Sequence, residues 1–370
     1  MTHWFQIDPR DPLMIRDGRP FSTDTDGARS VDFPPPSVLA GALRTCVGSL
    51  GGWDWSKATT RARALQIGVC GPLLALSERD GRPLRLLLPA PADCVTFASA
   101  ADAASGGFRR FRLRPNSFAP STLSSLPGEL LPVQPITALP KAKPAQGPAY
   151  WSEVQYRSWL TAPNPAGEDG MAERDGRPHL LHERRTHVGI DASAGTAKEG
   201  MLFQTDGLRF ARRPDRGGSV ERMVLLAGVV GADAPKPGLI PLGGERRLSS
   251  IEPVAFRLAD ALPAPSEVGE LARVVLLTPA LFAEGSVPRS IGGAPVVAAA
   301  VSRPLTVSGW DMAARGPKPT RRMAPSGSVY WVRLNPLDRR QWMERVHLQG
   351  VCTEAQDNRD GFGLAAVGGW

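Results

Sequence analysis

The sequence predicts a mixed α/β (α+β) chain made of two successive α/β units, and three observations carry that reading. Short β-type runs alternate with segments of helical period along the whole length. A proline-led amphipathic helix follows the first strand, after one turn and one polar loop. A second set of strand, glycine-turn and helix signals begins near Glu221. The 370 residues suit two domains or one elaborate one. With 42% hydrophobic residues, the chain has enough apolar surface to bury real cores.

The first strand lies in residues 3–15, where Trp4-Phe5-Gln6-Ile7 and Leu13-Met14-Ile15 flank two Asp-Pro breaks. Arg16-Asp17-Gly18-Arg19-Pro20-Phe21 is a turn signal with two arginines, and a polar loop follows to Asp32. Pro34-Pro35-Pro36 cannot continue a helix but leads into one. Ser37 then stands where an N-cap belongs. Val38, Leu39, Ala42, Leu43, Cys46 and Val47 recur at helical spacing as an apolar face. Ser37, Gly41, Arg44 and Gly48 share another stripe, which carries a hydroxyl, two bare backbone patches and a guanidinium. At the positive end of a helix dipole this stripe fits a phosphate backbone; it equally fits a capped helix with glycines for close packing.

Gly68–Leu76 and Leu84–Leu88 read as strands joined by an Asp-Gly turn. Residues 89–149 are rich in Pro, Ala and Ser and read as a long insertion. Within it, Arg110, Arg112 and Arg114 would share one face of a strand, as a solvated basic edge or a nucleic-acid stripe. Tyr150–Leu160 fits a short helix with Trp151, Val154 and Trp159 toward the core, followed by a loop over 163–178. Leu180–Asp191 and Met201–Phe210 form a long hairpin with a small, polar, mobile tip over 192–200, made basic by Arg184, Arg185, His187 and Lys198. In the second part, Arg222–Val230, Ala272–Thr278, Val296–Val307 and Ser328–Leu334 are strands, the last holding Tyr330 and Trp331. Leu337–Val346 is helical. Leu242-Gly243-Gly244-Glu245-Arg246-Arg247 marks a glycine turn with a basic pair, and 316–322 is a basic loop with Lys318, Arg321 and Arg322. A glycine-rich turn at Gly361-Phe362-Gly363 runs into a last strand. The expected architecture is two ferredoxin-like (RRM-like) domains with insertions and a long β-hairpin. They comprise 1–220, including the 89–149 insertion and the 180–210 hairpin, and 221–370.

The charge balance is 44 basic against 36 acidic residues, +8 net, with a pI near 9.8. It favours a polyanionic partner or an acidic subunit, although a GC-rich coding bias toward Arg would produce much of it. Cys46, Cys70, Cys94 and Cys352 lie far apart with no C-x-x-C spacing, which suggests reduced thiols in the cytosol rather than a zinc site or disulfide scaffold. The N-terminus has no signal-peptide pattern, and no apolar run approaches a membrane span; no membrane partner and a cytoplasmic location are expected.

Catalytic motifs are scarce. No G-x-S-x-G elbow and no phosphate-binding G-x-x-x-x-G-K-[ST] loop occurs. Gly243-Gly244-Glu245-Arg246 resembles a nucleotide-cyclase turn in its glycines only, without paired aspartates for two metals. His179, His182 and His187 would point to different faces and have no thiol or carboxylate placed with them in sequence, so no metal site and no cofactor is expected. A metal-free RNA endonuclease needs a general base, and His187 beside Arg184 and Arg185 is the one candidate. Glycines at 361 and 363 would let a backbone approach phosphates, or simply make a turn.

Taken in order, these segments resemble a known family. The residues that carry the likeness are Ile7-Asp8-Pro9, Asp11-Pro12-Leu13, Arg16–Phe21, Pro34–Ser37 with Ala40–Arg44, His187–Asp191, Lys198–Phe203, Leu242–Arg247, 325–331 and the terminal glycine run. Together they are similar to the third Cmr subunits of type III-B CRISPR effector complexes, in the RAMP superfamily. The 89–149 insertion matches nothing in that pattern. The resemblance implies two ferredoxin-like folds and a non-catalytic subunit that holds the 5′ repeat-derived handle of the CRISPR RNA. It also implies contacts with the large polymerase-like Cas subunit and the adjacent backbone RAMP subunit and, indirectly, with target RNA. The family's first-helix face and glycine-rich loop carry over to Ser37, Gly41, Arg44, Gly361 and Gly363, and the 180–210 hairpin to a thumb-like role. Charge and position add Arg16, Arg19, Arg184, Arg185, His187, Lys198, Arg246, Arg247, Lys318, Arg321 and Arg322 as candidate RNA contacts, with Phe21 as a stacking residue. The alternatives are a RAMP-type metal-independent endoribonuclease that processes the precursor transcript and a protein-only scaffold.

Overall fold

The computed structural model describes residues 2–16, 30–77, 84–99, 107–119, 122–127, 130–161, 168–172, 175–213, 220–232, 234–265, 268–311 and 316–369. Arg19, Phe21 and the Asp-Gly turn before Leu84 lie outside them. β1 (Thr2–Pro9) leads to α1 (Pro36–Leu50), α2 (Ala58–Gln66), β2 (Gly68–Ser77) and β3 (Arg85–Pro89). The insertion carries β4 (Cys94–Ala98), β5 (Phe108–Pro115) and β6 (Val133–Pro135). After it come β7 (Tyr150–Ser152), α3 (Glu153–Thr161), β8 (Glu168–Met171) and β9 (Gly176–Arg177). The long hairpin is β10 (Leu181–Ile190) and β11 (Ala197–Arg209), followed by β12 (Ala211–Arg212), β13 (Glu221–Val230), β14 (Gly238–Pro241) and β15 (Leu248–Pro253).

The first sheet runs β14-β15-β1-β13-β2-β3-β7-β9, and these pairs are antiparallel. Its centre, β15-β1-β13-β2, has the strand order of a ferredoxin-like fold. β2 and β13 read as nearly unbroken apolar runs because both of their faces are covered. The expected break at 220/221 falls inside this sheet. β13 pairs with β1 on one side and β2 on the other, setting Phe5 opposite Ala227 and Ile7 opposite Leu225, so the first unit extends through Pro253.

α4 (Leu258–Ala261) leads to the second unit: β16 (Leu271–Leu276), β17 (Ser290–Ile291), β18 (Ala294–Ala300), β19 (Leu305–Val307), β20 (Trp310–Asp311), β21 (Gly316–Pro317), β22 (Arg321–Met323), β23 (Val329–Arg333), α5 (Arg339–Val346), α6 (Ala355–Arg359) and β24 (Ala365–Gly369). Its sheet, β17-β18-β23-β16-β24, repeats the ferredoxin-like order. The two sheets share a core in which Trp4, Leu73 and Leu226 of the first meet Val275, Ala298 and Trp331 of the second, with Tyr156 and Trp159 of α3 among them. A second core lies under α1 and a third under α5.

Several local expectations change. Ser37 is inside the first turn of α1; Pro35 holds the N-cap position, and no side chain caps the helix. Val154 is exposed, while Trp151 and Trp159 are buried. The Val296–Val307 run is two strands, β18 and β19. The 316–322 loop is instead the return arm of a second hairpin, in which β19 pairs with β22 and β20 with β21. β5 is no basic edge strand. It pairs with β4, β6 and β8, and Arg110 and Arg112 are buried. Arg110 grips the Asp169 carboxylate at 2.6 and 2.8 Å and lies over Trp151, and Arg112 lies 3.9 Å over Trp159. Arg273 of β16 joins them, paired with the buried Asp93 and donating to the Trp159 carbonyl. The arginine stripe thus fastens the insertion to β7, α3 and β8 of the first unit, and Arg273 ties Asp93 and α3 to the second.

Candidate nucleic-acid interface

α1 buries Leu39, Ala40 and Leu43 against the first sheet, which fixes what its other stripe faces. That stripe divides. Ser37 is half-buried, Gly41 opens onto free space, and Arg44 and Gly48 turn inward. Arg44 is 6% exposed. Its Nη1 donates to Asp360 at 2.6 Å, its Nε and Nη2 to the Ile67 carbonyl at 3.1 and 2.8 Å, and Nη2 also to the Arg359 carbonyl at 3.1 Å. The guanidinium therefore clamps α1 to the end of α6 and is not presented to a phosphate.

The glycine-rich turn is also internal. Gly361 (φ +93°) lies against the Gly71 carbonyl and Gly363 (φ +71°) against Cys352, places a Cβ would fill. Their N–H groups donate to the Asn358 and Pro279 carbonyls, and the Phe362 N–H to that of Asp357. No nest of free N–H groups opens there, and 361–368 are buried.

The exposed cations gather elsewhere. Gly243, Glu245 and Arg246 all have positive φ, which folds the glycine turn tightly against Met14. The Gly244 N–H donates to the Met14 carbonyl at 2.6 Å, and Arg247 reaches Glu245 at 3.1 Å and the Met14 Sδ. Arg16, two residues beyond Met14, is exposed and bridges to Ser30. Arg16, Arg246 and Arg247, distant in sequence, thus lie around one short segment. That segment also meets the hairpin: Leu13 pairs with Leu208, and the Ser30 N–H donates to Asp206 at 3.2 Å.

His182 sits at the same junction, 2.9 Å from Asp206 and 3.2 Å from Asp32, carboxylates that sequence proximity did not reveal. Further out, Arg184, Arg185 and Lys198 are exposed, and Arg185 pairs with Glu183. His187 hydrogen-bonds Thr205 at 2.8 Å and stacks on Phe203, with ring centroids 5.1 Å apart and planes 16° apart. Asp191 closes the tip by accepting from the Ser193 hydroxyl and from the N–H groups of Ala194 and Ser193, and those bonds hold its carboxyl below the usual range. Strand pairing resumes at Ala197, so the tip is shorter than expected. Val188, Ile190, Met201, Leu202 and Phe203 are exposed on this hairpin. Sequence reading missed Phe203; the signal was three large apolar residues, Met201-Leu202-Phe203, beside a Ser/Ala/Gly tip. Lys318 and Arg322 are exposed on the second hairpin, whereas Arg321 is engaged bidentately by Asp357 at 2.9 and 2.5 Å.

Burial pushes the Cys70 and Cys352 thiols up to about 12, which leaves neither poised as a nucleophile. Among the described residues, no three His, Cys, Asp or Glu side chains group as metal ligands, and no helix is long and apolar enough to cross a membrane.

A cryo-EM structure of the type III-B Cmr-β bound to cognate target RNA and AMPPnP contains a chain of similar fold, with a TM-score of 0.50, 15% identity, and coverage of 92% of this chain and 93% of that one. A second type III-B Cmr-β structure, bound to cognate target RNA, gives a TM-score of 0.50 and 14% identity, covering 98% and 96%. No curated protein matches the chain. The model of the family described as CRISPR-associated protein (Cas_Cmr3) matches residues 5–370, nearly the whole length, and the chain belongs to that family.

Proposed function

We propose that this protein is the third Cmr subunit of a type III-B effector, a cytoplasmic, non-catalytic component that holds the 5′ handle of the CRISPR RNA. In this role it bridges the large polymerase-like subunit to the backbone RAMP subunits, with target RNA reached indirectly. The observation that carries the reading is the meeting of Arg16, Arg246 and Arg247 around Met14 at the root of the aromatic-bearing hairpin, in a chain of this family. Guanidinium forks suit phosphate oxygens, and an exposed ring such as Phe203, stacked on the half-buried His187, suits an unpaired base. Ser37 and Gly41, at the open end of α1, remain candidate contacts. Arg44, Gly361 and Gly363 support the surface from within.

The non-catalytic reading rests on the histidines. Both ring nitrogens of His182 face carboxylates, and His187 spends Nε2 on Thr205. Neither is set up to take a proton from a 2′-hydroxyl in the way the endoribonuclease alternative needs. The test is Arg16→Ala with Arg246→Ala in the assembled complex. RNA retention should fall several-fold; unchanged retention would contradict the reading. Metal-independent cleavage of repeat RNA, lost in His187→Ala, would favour the alternative.

A further inference from the structure

The second hairpin, residues 305–323, is chemically unlike the first. Leu305, Thr306 and Val307 pair with Met323, Arg322 and Arg321, and Trp310 and Asp311 with Pro317 and Gly316. Between these pairs the Lys318 N–H donates to the Gly309 carbonyl at 2.7 Å, and the Ser308 hydroxyl donates to the Lys318 carbonyl at 3.0 Å. The root is fixed. Met323 is buried, Ala324 exchanges two 2.9 Å hydrogen bonds with Ala280, and Arg321 is locked on Asp357 of α6. Strand alternation then turns Arg322 and Thr306 to the face opposite Met323 and Arg321. Arg303, Lys318 and Arg322 are all exposed. Residues 301–323 contain five cations and one acid, Asp311.

We propose that this hairpin is a second nucleic-acid arm, one that grips the sugar–phosphate backbone of single-stranded RNA through Arg303, Lys318 and Arg322. The proposal rests on the RNA-binding reading above and assigns the two hairpins different tasks. The first exposes aliphatic and aromatic side chains suited to bases, the second cations suited to phosphates. A protein partner fits the second arm less well. Among its described side chains Arg303, Thr306, Lys318, Thr320 and Arg322 are exposed, and Lys is depleted from protein interfaces. Arg321 is the anchor of the arm rather than a contact, because both its forks are taken.

The test is the salt dependence of RNA binding by the assembled complex, using repeat-derived single-stranded RNA, for wild type, Lys318→Ala/Arg322→Ala and Arg246→Ala. Each phosphate contact on a single strand contributes about 0.7 to the slope of log K against log salt, so the double variant should flatten the slope by about 1.4. RNA crosslinks should also map to 303–322. An unchanged slope in the double variant, with a flatter one in Arg246→Ala, overturns the second arm and leaves the RNA-binding reading standing. Crosslinks from Lys318 to a protein subunit alone overturn it in favour of a protein contact. No change in either variant overturns both.

Discussion

Arg44 and Asp360 meet at 2.6 Å although 316 residues separate them in sequence. The pair joins the first helix of one ferredoxin-like unit to the short helix that precedes the last strand of the other. Three residues earlier, Asp357 of the same short helix holds Arg321 of the second hairpin. α6 is thus a junction to which both the first helix and the cationic arm are pinned.

Arg44→Ala should act on stability. It removes the cation from a carboxylate that is 16% exposed, leaving it the Gln356 amide, and leaves the Ile67 and Arg359 carbonyls short of a donor. Breaking a buried pair costs roughly 3–5 kcal/mol, read as a lower denaturant midpoint. Lys at this position should recover only part, since a compact ammonium cannot span the Asp360, Ile67 and Arg359 acceptors that the planar guanidinium reaches. A wild-type midpoint in the Ala variant would refute the clamp.

Gly361→Ala should destabilise through backbone and space together. Its φ of +93° is a region L-residues rarely adopt, and the new Cβ would meet the Gly71 carbonyl. Strain of this kind costs about 1–3 kcal/mol, before any displacement of the neighbouring strand. Thermal unfolding of the variant checks it; an unchanged midpoint would mean the turn can relax away from β2.

His347 gives the stability a pH dependence of definite sign. Its Nδ1 accepts the Val367 N–H at 3.2 Å and its Nε2 faces the Leu262 carbonyl at 3.0 Å, an arrangement that needs the neutral ring with its proton on Nε2. Burial holds its pKa below the ordinary 6.5. The unfolded chain therefore takes up the proton first, and stability falls as the pH drops below about 6.5. His347→Gln should flatten this part of the curve in denaturation measured between neutral and acid pH. An identical profile would show that other groups set it.

Phe203→Ala should separate binding from folding. The ring is 48% exposed, so the stability change should stay within about 0.5 kcal/mol. If a base stacks there, the assembled complex should lose about 1–3 kcal/mol of RNA binding, measured by equilibrium titration. Equal RNA affinity would remove Phe203 from the interface.

The fold was legible where local pattern and burial agree. β2, β13 and β23 are apolar runs, α1 has a clean 3.6-residue face, and the Leu180–Phe210 hairpin shows in its two runs and small-residue tip. The strand order that returns β13 to the first sheet is non-local and left no mark at Glu221. The inward turn of Arg110 and Arg112 was hidden for the same reason. An alternating Arg strand looks identical whether water or Trp159 and Asp169 lie opposite, and those partners come 47 to 59 residues later. Arg44 misled through its helical stripe, because its acceptors belong to other elements. Arg16 and Arg246 were visible as cations, but the contacts of Gly244 and Arg247 with Met14 that bring their segments together are tertiary. The return arm of the second hairpin holds Gly316, Pro317 and Pro319, residues depleted in strands, which suppresses its strand signal.

The most direct test of the central claim is RNA crosslinking with mass spectrometry on the protein assembled with its partners and CRISPR RNA. Adducts are expected on Arg16, Arg246 or Arg247 and on the His187–Phe203 hairpin, with none on the buried Arg44, Gly361 or Gly363. Adducts confined to other surfaces, or none at all, would contradict the claim and leave the protein-only scaffold as the reading.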